Sequence, residues 1–303
     1  MTRDQERAGL LFAGLCALNG AFVPALAKLT TNRADPFSVA AITTLFAGAA
    51  ALVALALRGE VASLFQRATR PRLLAIGALG TATAFLLFYS GARRSTAIET
   101  ALCLQIEPAY SLMAAWLALG HRPTRRRLLA IGAILAGITL AVGGRRLAPS
   151  SGIWLLLATP ACWQISHLIV LRGLRGITPA VLTGARYVYG GILLSLFWAA
   201  SGAMATLPPL PDVVSLLPLL ALQGLVSTYL GTLLWYQAII RLDLVRATAI
   251  VVPSIPVLSL AVTFVLVGEV PSTEQWIGTA LTAGGVLAFA TAPHAVPATN
   301  GTS

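Results

Sequence analysis

Residues 97–119 read AIETALCLQIEPAYSLMAAWLAL, an apolar run of about 20 residues, the length that crosses a bilayer, interrupted in its middle by Glu107-Pro108. A proline inside such a helix frees a backbone carbonyl one turn back. An ionisable group at that depth is costly unless it faces a cavity or a partner. Either this stretch is not in a membrane, or it is where the chemistry of the chain takes place.

The composition decides for the membrane. The 303 residues are 57% hydrophobic and 10% charged, with a mean hydropathy of +0.83, against the roughly 25% charged residues of a soluble domain. Apolar runs between charged or Gly/Pro punctuation predict ten spans, near 8–28, 36–57, 71–90, 96–119, 125–143, 152–171, 178–200, 213–239, 245–267 and 273–292. The net charge of +11 sits in short clusters between these runs rather than on one polar face, which excludes a nucleic-acid binder and makes the charge a topology signal. With the N-terminus inside, 14 of the 21 Lys and Arg residues fall in cytoplasmic segments and 6 outside, with Arg186 within a span. Both termini are therefore expected in the cytoplasm.

The first run ends in Ala25-Leu26-Ala27, a small-residue pattern like a signal-peptide cleavage site. Its apolar stretch exceeds a typical h-region of about 7–15 residues, and it has a counterpart later in the chain, so a mature helix is expected. Cys16, Cys103 and Cys162 are scattered within spans, with neither a disulfide framework nor zinc spacing. No metal and no cofactor are expected.

The second half repeats the first. At an offset of 143 Gly9 falls on Gly152, Pro36 on Pro179 and Gly48 on Gly191; at 147 Gly77 falls on Gly224, Tyr89 on Tyr236 and Arg94 on Arg241; at 148 Pro108 falls on Pro256, Gly120 on Gly268, Pro123 on Pro271 and Gly137 on Gly285. Five spans are an odd number, so the second half must enter the membrane the other way up. The expected fold is an all-α membrane protein of ten transmembrane helices in two inverted five-helix repeats, residues 1–146 and 147–303. Such an arrangement puts a substrate site near the midplane where the halves meet.

Polar and breakable residues collect on particular spans. Span 1 has Asn19-Gly20 and Pro24; span 6 has Thr159-Pro160, then Trp163, Gln164, Ser166 and His167; span 3 has Thr81, Phe85 and Tyr89; span 8 has Gln223, Ser227, Thr228, Tyr229, Trp235, Tyr236 and Gln237. Interhelical hydrogen bonding explains any one of the polar residues, and interfacial belts explain aromatics near span ends. Their clustering in repeat-equivalent spans points instead to a cavity. In span 4, Cys103, Glu107, Tyr110 and Ala114 share one face; the matching face of span 9 has Thr248, Val252, Pro253 and Pro256, without a charge. Arg186 lies about 12 Å into span 7. Its stem either snorkels to the cytoplasmic face or brings its charge to a carboxylate, of Glu107 or of a substrate.

Two halves of five spans resemble the EamA-type drug/metabolite transporter family: in each, a proline-bearing helix closes on Leu/Val-Gly and leads through a Pro-Ser/Thr turn into a Gly-rich last helix. The residues that carry the resemblance are Glu107-Pro108 to Gly120 with Pro123-Thr124, and Pro256 to Gly268-Glu269 with Pro271-Ser272. Where the family has Gly-Glu, the first half has Gly120-His121, while the second keeps Gly268-Glu269. Within the family the chain is most similar to exporters of aromatic amino acids, which also handle a bipyridinium herbicide. The resemblance implies a basket of ten helices in a bacterial inner membrane, with a cavity lined by spans 1, 3, 4, 6, 8 and 9.

The expected function is export of aromatic or apolar amino acids by alternating access. The expected substrate-binding residues are Asn19, Phe85, Tyr89, Gln105, Glu107, Tyr110, Trp163, Gln164, His167, Tyr229 and Tyr236, with hinges at Pro24, Pro108, Pro160 and Pro256. Aromatic rings would stack a planar side chain, and amides with helix-break carbonyls would hold its charged end. The alternative is a proton-coupled exporter of lipophilic cations, with Glu107 shared by proton and drug. Glu107 can equally be a structural acid satisfying backbone groups near Pro108. An enzyme is not expected: there is no His-Glu-x-x-His, no Gly-x-Ser-x-Gly and no acidic pair on one helical face. The expected partners are the lipid bilayer and a small molecule, an amino acid or an organic cation; the Gly-rich spans 5 and 10 read as packing or dimer-forming helices, so a monomer and a dimer are both open.

Overall fold

A computed structural model of the chain describes residues 3–120, 123–143, 150–174, 176–207, 209–242 and 244–292. Among these residues there is helix and no strand. The helices are α1 (Arg3–Arg33), α2 (Pro36–Leu57), α3 (Arg70–Gly77), α4 (Ala84–Arg94), α5 (Ala97–Cys103), α6 (Glu107–Leu119), α7 (Arg125–Gly143), α8 (Ser151–Gly173), α9 (Pro179–Ala200), α10 (Leu210–Leu222), α11 (Gly231–Leu242), α12 (Leu244–Val267) and α13 (Thr273–Ala290). Three junctions are continuous but irregular: π-helical turns at Ala78–Thr83, between α3 and α4, and at Gln223–Leu230, between α10 and α11, and a 3-10 turn at Leu104–Ile106, between α5 and α6.

Among the described residues eight segments are long and apolar enough to cross a membrane: Asp4–Arg33, Pro36–Leu57, Arg70–Arg94, Arg125–Gly143, Ser151–Gly173, Pro179–Ala200, Pro211–Trp235 and Ile250–Val267. Two of the ten expected spans fall outside this set for visible reasons. Residues 97–119 are divided by the 3-10 turn, and α13 opens on the polar Thr273-Glu274-Gln275.

Local chemistry sets the helix starts. Asp35 caps α2, its carboxylate accepting from the Phe37 and Ser38 N–H groups ahead of Pro36, and the Thr178 hydroxyl accepts from Val181 N–H ahead of Pro179. Thr96 with Glu99, and Ser272 with Gln275, form reciprocal capping boxes at α5 and α13. Gly120 ends α6 at φ 72° and Gly268 follows α12 at φ 74°, the left-handed conformation that a side chain disfavours. The residue after Gly268 then reaches across the molecule. The Glu269 carboxylate accepts from Ala97 N–H at 3.0 Å and Ile98 N–H at 3.2 Å, supplying partners for the orphan donors of α5. His121, at the matching place in the first half, lies outside the described residues.

Small residues allow the helices to approach. α7 lies along α13, α2 along α9, α1 against α11 and α12, and α8 against α4 and α6. A Cβ on Gly137 would stand 2.6 Å from the Gly278 carbonyl, and one on Gly48 would stand 3.0 Å from the Tyr187 carbonyl.

The two ends of the bundle are built differently. At one end, Lys28 Nζ donates to the Arg93 carbonyl at 3.0 Å, and Arg93 Nη1 donates to the Thr31 and Ala34 carbonyls at 2.5 and 3.0 Å. Thr30, Thr31, Ala34, Ala92, Ala97 and Ile98 are buried there. Toward the other end Met113, Trp116 and Leu117 of α6 and Ile165, His167 and Leu171 of α8 are exposed.

Candidate functional site

The second π turn lines a cavity, and the first is tied to it through a side chain. A π turn places its hydrogen bonds from i to i+5, and such turns recur at functional sites. Here the carbonyls of both turns are met by side chains from other helices. Arg186 Nη2 donates to the Gly80 carbonyl at 2.9 Å. Asn19 Nδ2 donates to the Ser227 carbonyl at 3.1 Å, and the Tyr187 hydroxyl donates to the Thr228 carbonyl at 3.3 Å and shares a hydrogen bond with Thr232 Oγ1 at 2.9 Å.

Between them lies a cavity of about 350 Å³ lined by residues of α1, α4, α6, α8, α9, α11 and α12 and of the second π turn. Val23, Phe85, Phe88, Tyr89, Trp163, Trp235 and Ile255 make its apolar wall. Phe85 and Phe88 pack against the ring of Tyr89 at centroid distances of 5.8 and 4.9 Å. Two charged side chains enter this wall, Glu107 from the first turn of α6 and Arg186 from α9. Gln164 Nε2 donates to Glu107 Oε1 at 2.9 Å. The cavity is walled off from the Lys28 end by the buried residues of α1, α4 and α5, and it meets the surface at His167, which lines it and is exposed.

Of the expected site residues, Asn19, Phe85, Tyr89, Glu107, Trp163 and His167 line this cavity, and Gln164 stands behind it on Glu107. Gln105, Tyr110 and Tyr229 do not line it. Gln105 sits in the 3-10 turn itself, and Tyr110, three residues past Glu107 on the regular helix α6, falls beyond the lining. The π turn explains the third, since one extra residue per turn rotates Thr228 and Thr232 inward in place of Tyr229. The side chain of Tyr236 lies outside the described residues.

The expected hinges differ among themselves. α1 runs unbroken through Pro24, α8 through Pro160 and α12 through Pro253 and Pro256, whereas Pro108 follows the 3-10 break. Cys16, Tyr187, Thr232 and Ile255 line the cavity and carried no sequence signal of their own. For Ile255 the repeat held one, because an offset of 148 places it opposite Glu107.

Four buried polar atoms around the cavity have no hydrogen-bond partner: Trp163 Nε1, Ser166 Oγ, Arg186 Nε and Gln223 Nε2. Among the described residues no group of three His, Cys, Asp or Glu side chains is placed to hold a metal ion. The site is arranged to bind an amphipathic molecule with apolar bulk and charged ends.

Comparison with known proteins gives a consistent picture. The sequence profile of the EamA-like transporter family matches residues 7–143 and again residues 150–291. A probable terminal-alkyne amino-acid exporter of Streptantibioticus cattleyicolor is 27% identical over 226 residues, 72% of this chain and 72% of that relative. The uncharacterized transporter YyaM of Bacillus subtilis is 24% identical over 271 residues, 86% of this chain and 87% of that relative. A solved crystal structure superposes with a TM-score of 0.67 at 21% identity, covering 94% of this chain and 97% of the solved one, a likeness of fold alone.

Proposed function

Since the chain belongs to the EamA-like transporter family, we propose that it exports aromatic and other apolar amino acids across the bacterial inner membrane, as a secondary transporter working by alternating access. That it is a multi-pass membrane transporter and not an enzyme follows from the family and the transporter relatives. The finer reading has ten spans, an inverted pair of repeats in residues 1–146 and 147–303, and both termini in the cytoplasm.

Several observations support this architecture. The family profile matches twice in succession. The π turns at 78–83 and 223–230 overlap at the offset of 147 found in the sequence. The helix pairings exchange among themselves when the halves are swapped: α1 on α11 answers to α4 on α8, α1 on α12 to α8 on α5 and α6, and α2–α9 and α7–α13 each pair with their own counterpart. With the basic clusters inside, the latched Lys28 end faces outward and the cavity opens toward the cytoplasm.

The observation that carries the substrate reading is the cavity itself, an aromatic wall enclosing Glu107 held by Gln164. Its rings suit a planar or aliphatic side chain, and the relative named as a probable amino-acid exporter lends weight to the same class. The competing reading, a proton-coupled exporter of lipophilic cations, would use Glu107 alone and is opposed by the Arg186 cation in the same space. Counterflow in proteoliposomes separates the two. Saturable exchange of phenylalanine and tryptophan without a pH gradient is expected. Accumulation of a lipophilic dication alone, driven by the gradient, would replace amino-acid export with cation export.

A further inference from the structure

We infer that Arg186 receives the carboxylate of the substrate while Glu107 with Gln164 receives its ammonium, so that the cavity selects zwitterions; this rests on the amino-acid reading above. Glu107 and Arg186 line one cavity, yet each is engaged elsewhere, Glu107 by Gln164 Nε2 and Arg186 by the Gly80 carbonyl. Among the described residues no ion pair joins them. Each keeps capacity that its one partner leaves unused, since a carboxylate has about four lone-pair sites and a guanidinium five N–H donors. An α-amino acid carries its ammonium and its carboxylate on one carbon and supplies both counter-ions at once.

The unpartnered groups point the same way. Trp163 Nε1, Arg186 Nε and Gln223 Nε2 are donors, and Ser166 Oγ can donate. A wall with surplus donors calls for acceptors. A carboxylate brings two oxygens with about four lone-pair sites and no donor, whereas an organic cation brings none. The guanidinium fork suits a carboxylate, and one of its nitrogens is already fixed on Gly80, so the rest is held in orientation.

The side chain does not snorkel toward a helix end. It turns onto a π turn in the middle of the first half. A Cβ at position 80 would stand 2.5 Å from Ser166 Oγ and 3.4 Å from Arg186 Nε, so the glycine leaves room for the Arg186 side chain to pass onto its carbonyl.

The test uses the purified full chain in proteoliposomes, with labelled phenylalanine in counterflow and three unlabelled competitors: phenylalanine, its primary amide, and 3-phenylpropionate, which has the carboxylate without the amine. Wild type is expected to prefer phenylalanine over the amide by about 10- to 100-fold, the worth of a charge-assisted hydrogen bond. In Arg186→Gln the two should compete within about threefold, through weaker phenylalanine and not stronger amide, and 3-phenylpropionate should cease to compete. Arg186→Lys should restore part of the preference. The acid-to-amide ratio is independent of how much protein folds, and gel filtration in detergent reports folding separately. An unchanged ratio in Arg186→Gln overturns the inference and leaves amino-acid export standing. If wild type exchanges no amino acid, quenching of Trp163 and Trp235 fluorescence by 3-phenylpropionate decides. Quenching that is lost in Arg186→Gln keeps the carboxylate site while the amino-acid reading falls; quenching absent or unaffected by the substitution overturns the inference.

Discussion

The π turns at Ala78–Thr83 and Gln223–Leu230 occupy matching places in the two halves, and they differ in what satisfies them. In the first half a charged guanidinium meets the Gly80 carbonyl; in the second, the neutral Asn19 and Tyr187 meet the Ser227 and Thr228 carbonyls. The proline-bearing helices differ in the same manner, with Glu107 ahead of Pro108 and Ile255 ahead of Pro256. Ile255 packs toward α1, where a Cβ on Gly20 would stand 2.9 Å from its Cδ1. Backbone irregularity is common to both halves and belongs to the framework. Charge is confined to one member of each pair, and in the proposed function it serves the substrate.

The shared framework can be broken most severely at its glycines. The nearest neighbour of a Cβ on Gly224 would be the Thr43 carbonyl, a backbone atom, whereas one on Gly77 would stand 2.8 Å from Tyr189 Cβ and 3.1 Å from Gly190 N. Gly224→Ala is expected to cost about 2–3 kcal/mol of stability in thermal unfolding in detergent, and Gly77→Ala somewhat less. Glu269→Gln comes next, at about 2 kcal/mol, because it weakens charge-assisted hydrogen bonds to two N–H groups at the start of α5. The same measurement reads it, and an unchanged midpoint would detach the Gly-Glu turn from stability.

Glu107→Gln sharpens the contrast between the halves. It keeps an acceptor for Gln164 but removes the charge, so phenylalanine should compete about 10-fold less well in counterflow while 3-phenylpropionate is unaffected. The smallest effects fall on the neutral partners of the second π turn: Asn19→Ala and Tyr187→Phe should each cost about 1 kcal/mol of stability. If either altered the acid-to-amide preference instead, the division between framework and cargo would fail.

The sequence made most of the helical architecture legible, because apolar length, caps and turn residues are local properties. Asp35-Pro36, Thr178-Pro179, Thr96 with Glu99 and Ser272 with Gln275 mark helix starts that the structure contains. The site was legible where residues project from regular helix, as with Asn19, Phe85, Trp163 and Glu107. It was lost where the winding changes. A face drawn at 3.6 residues per turn runs astray across a π turn, where Ser227 and Thr228 line the cavity and Tyr229 does not. The prolines and the irregular winding do not coincide. In α1, α8 and α12 they are accommodated without a break, while the departures from α-helix fall at 78–83, 104–106 and 223–230.

The closure formed by Lys28 and Arg93 has an energetic consequence. Each cation rests on carbonyls near the end of the other's helix, groups that lack helical partners of their own. When the two helix ends part, water can solvate every donor and acceptor released, so separation exchanges one set of hydrogen bonds for another of similar worth. A seal of interlocked apolar side chains would instead expose fresh hydrocarbon at about 25 cal/mol per Å² on each opening. Bonds that water can replace therefore give this end a low toll for opening, which is what the proposed alternating access would ask of it once in every cycle.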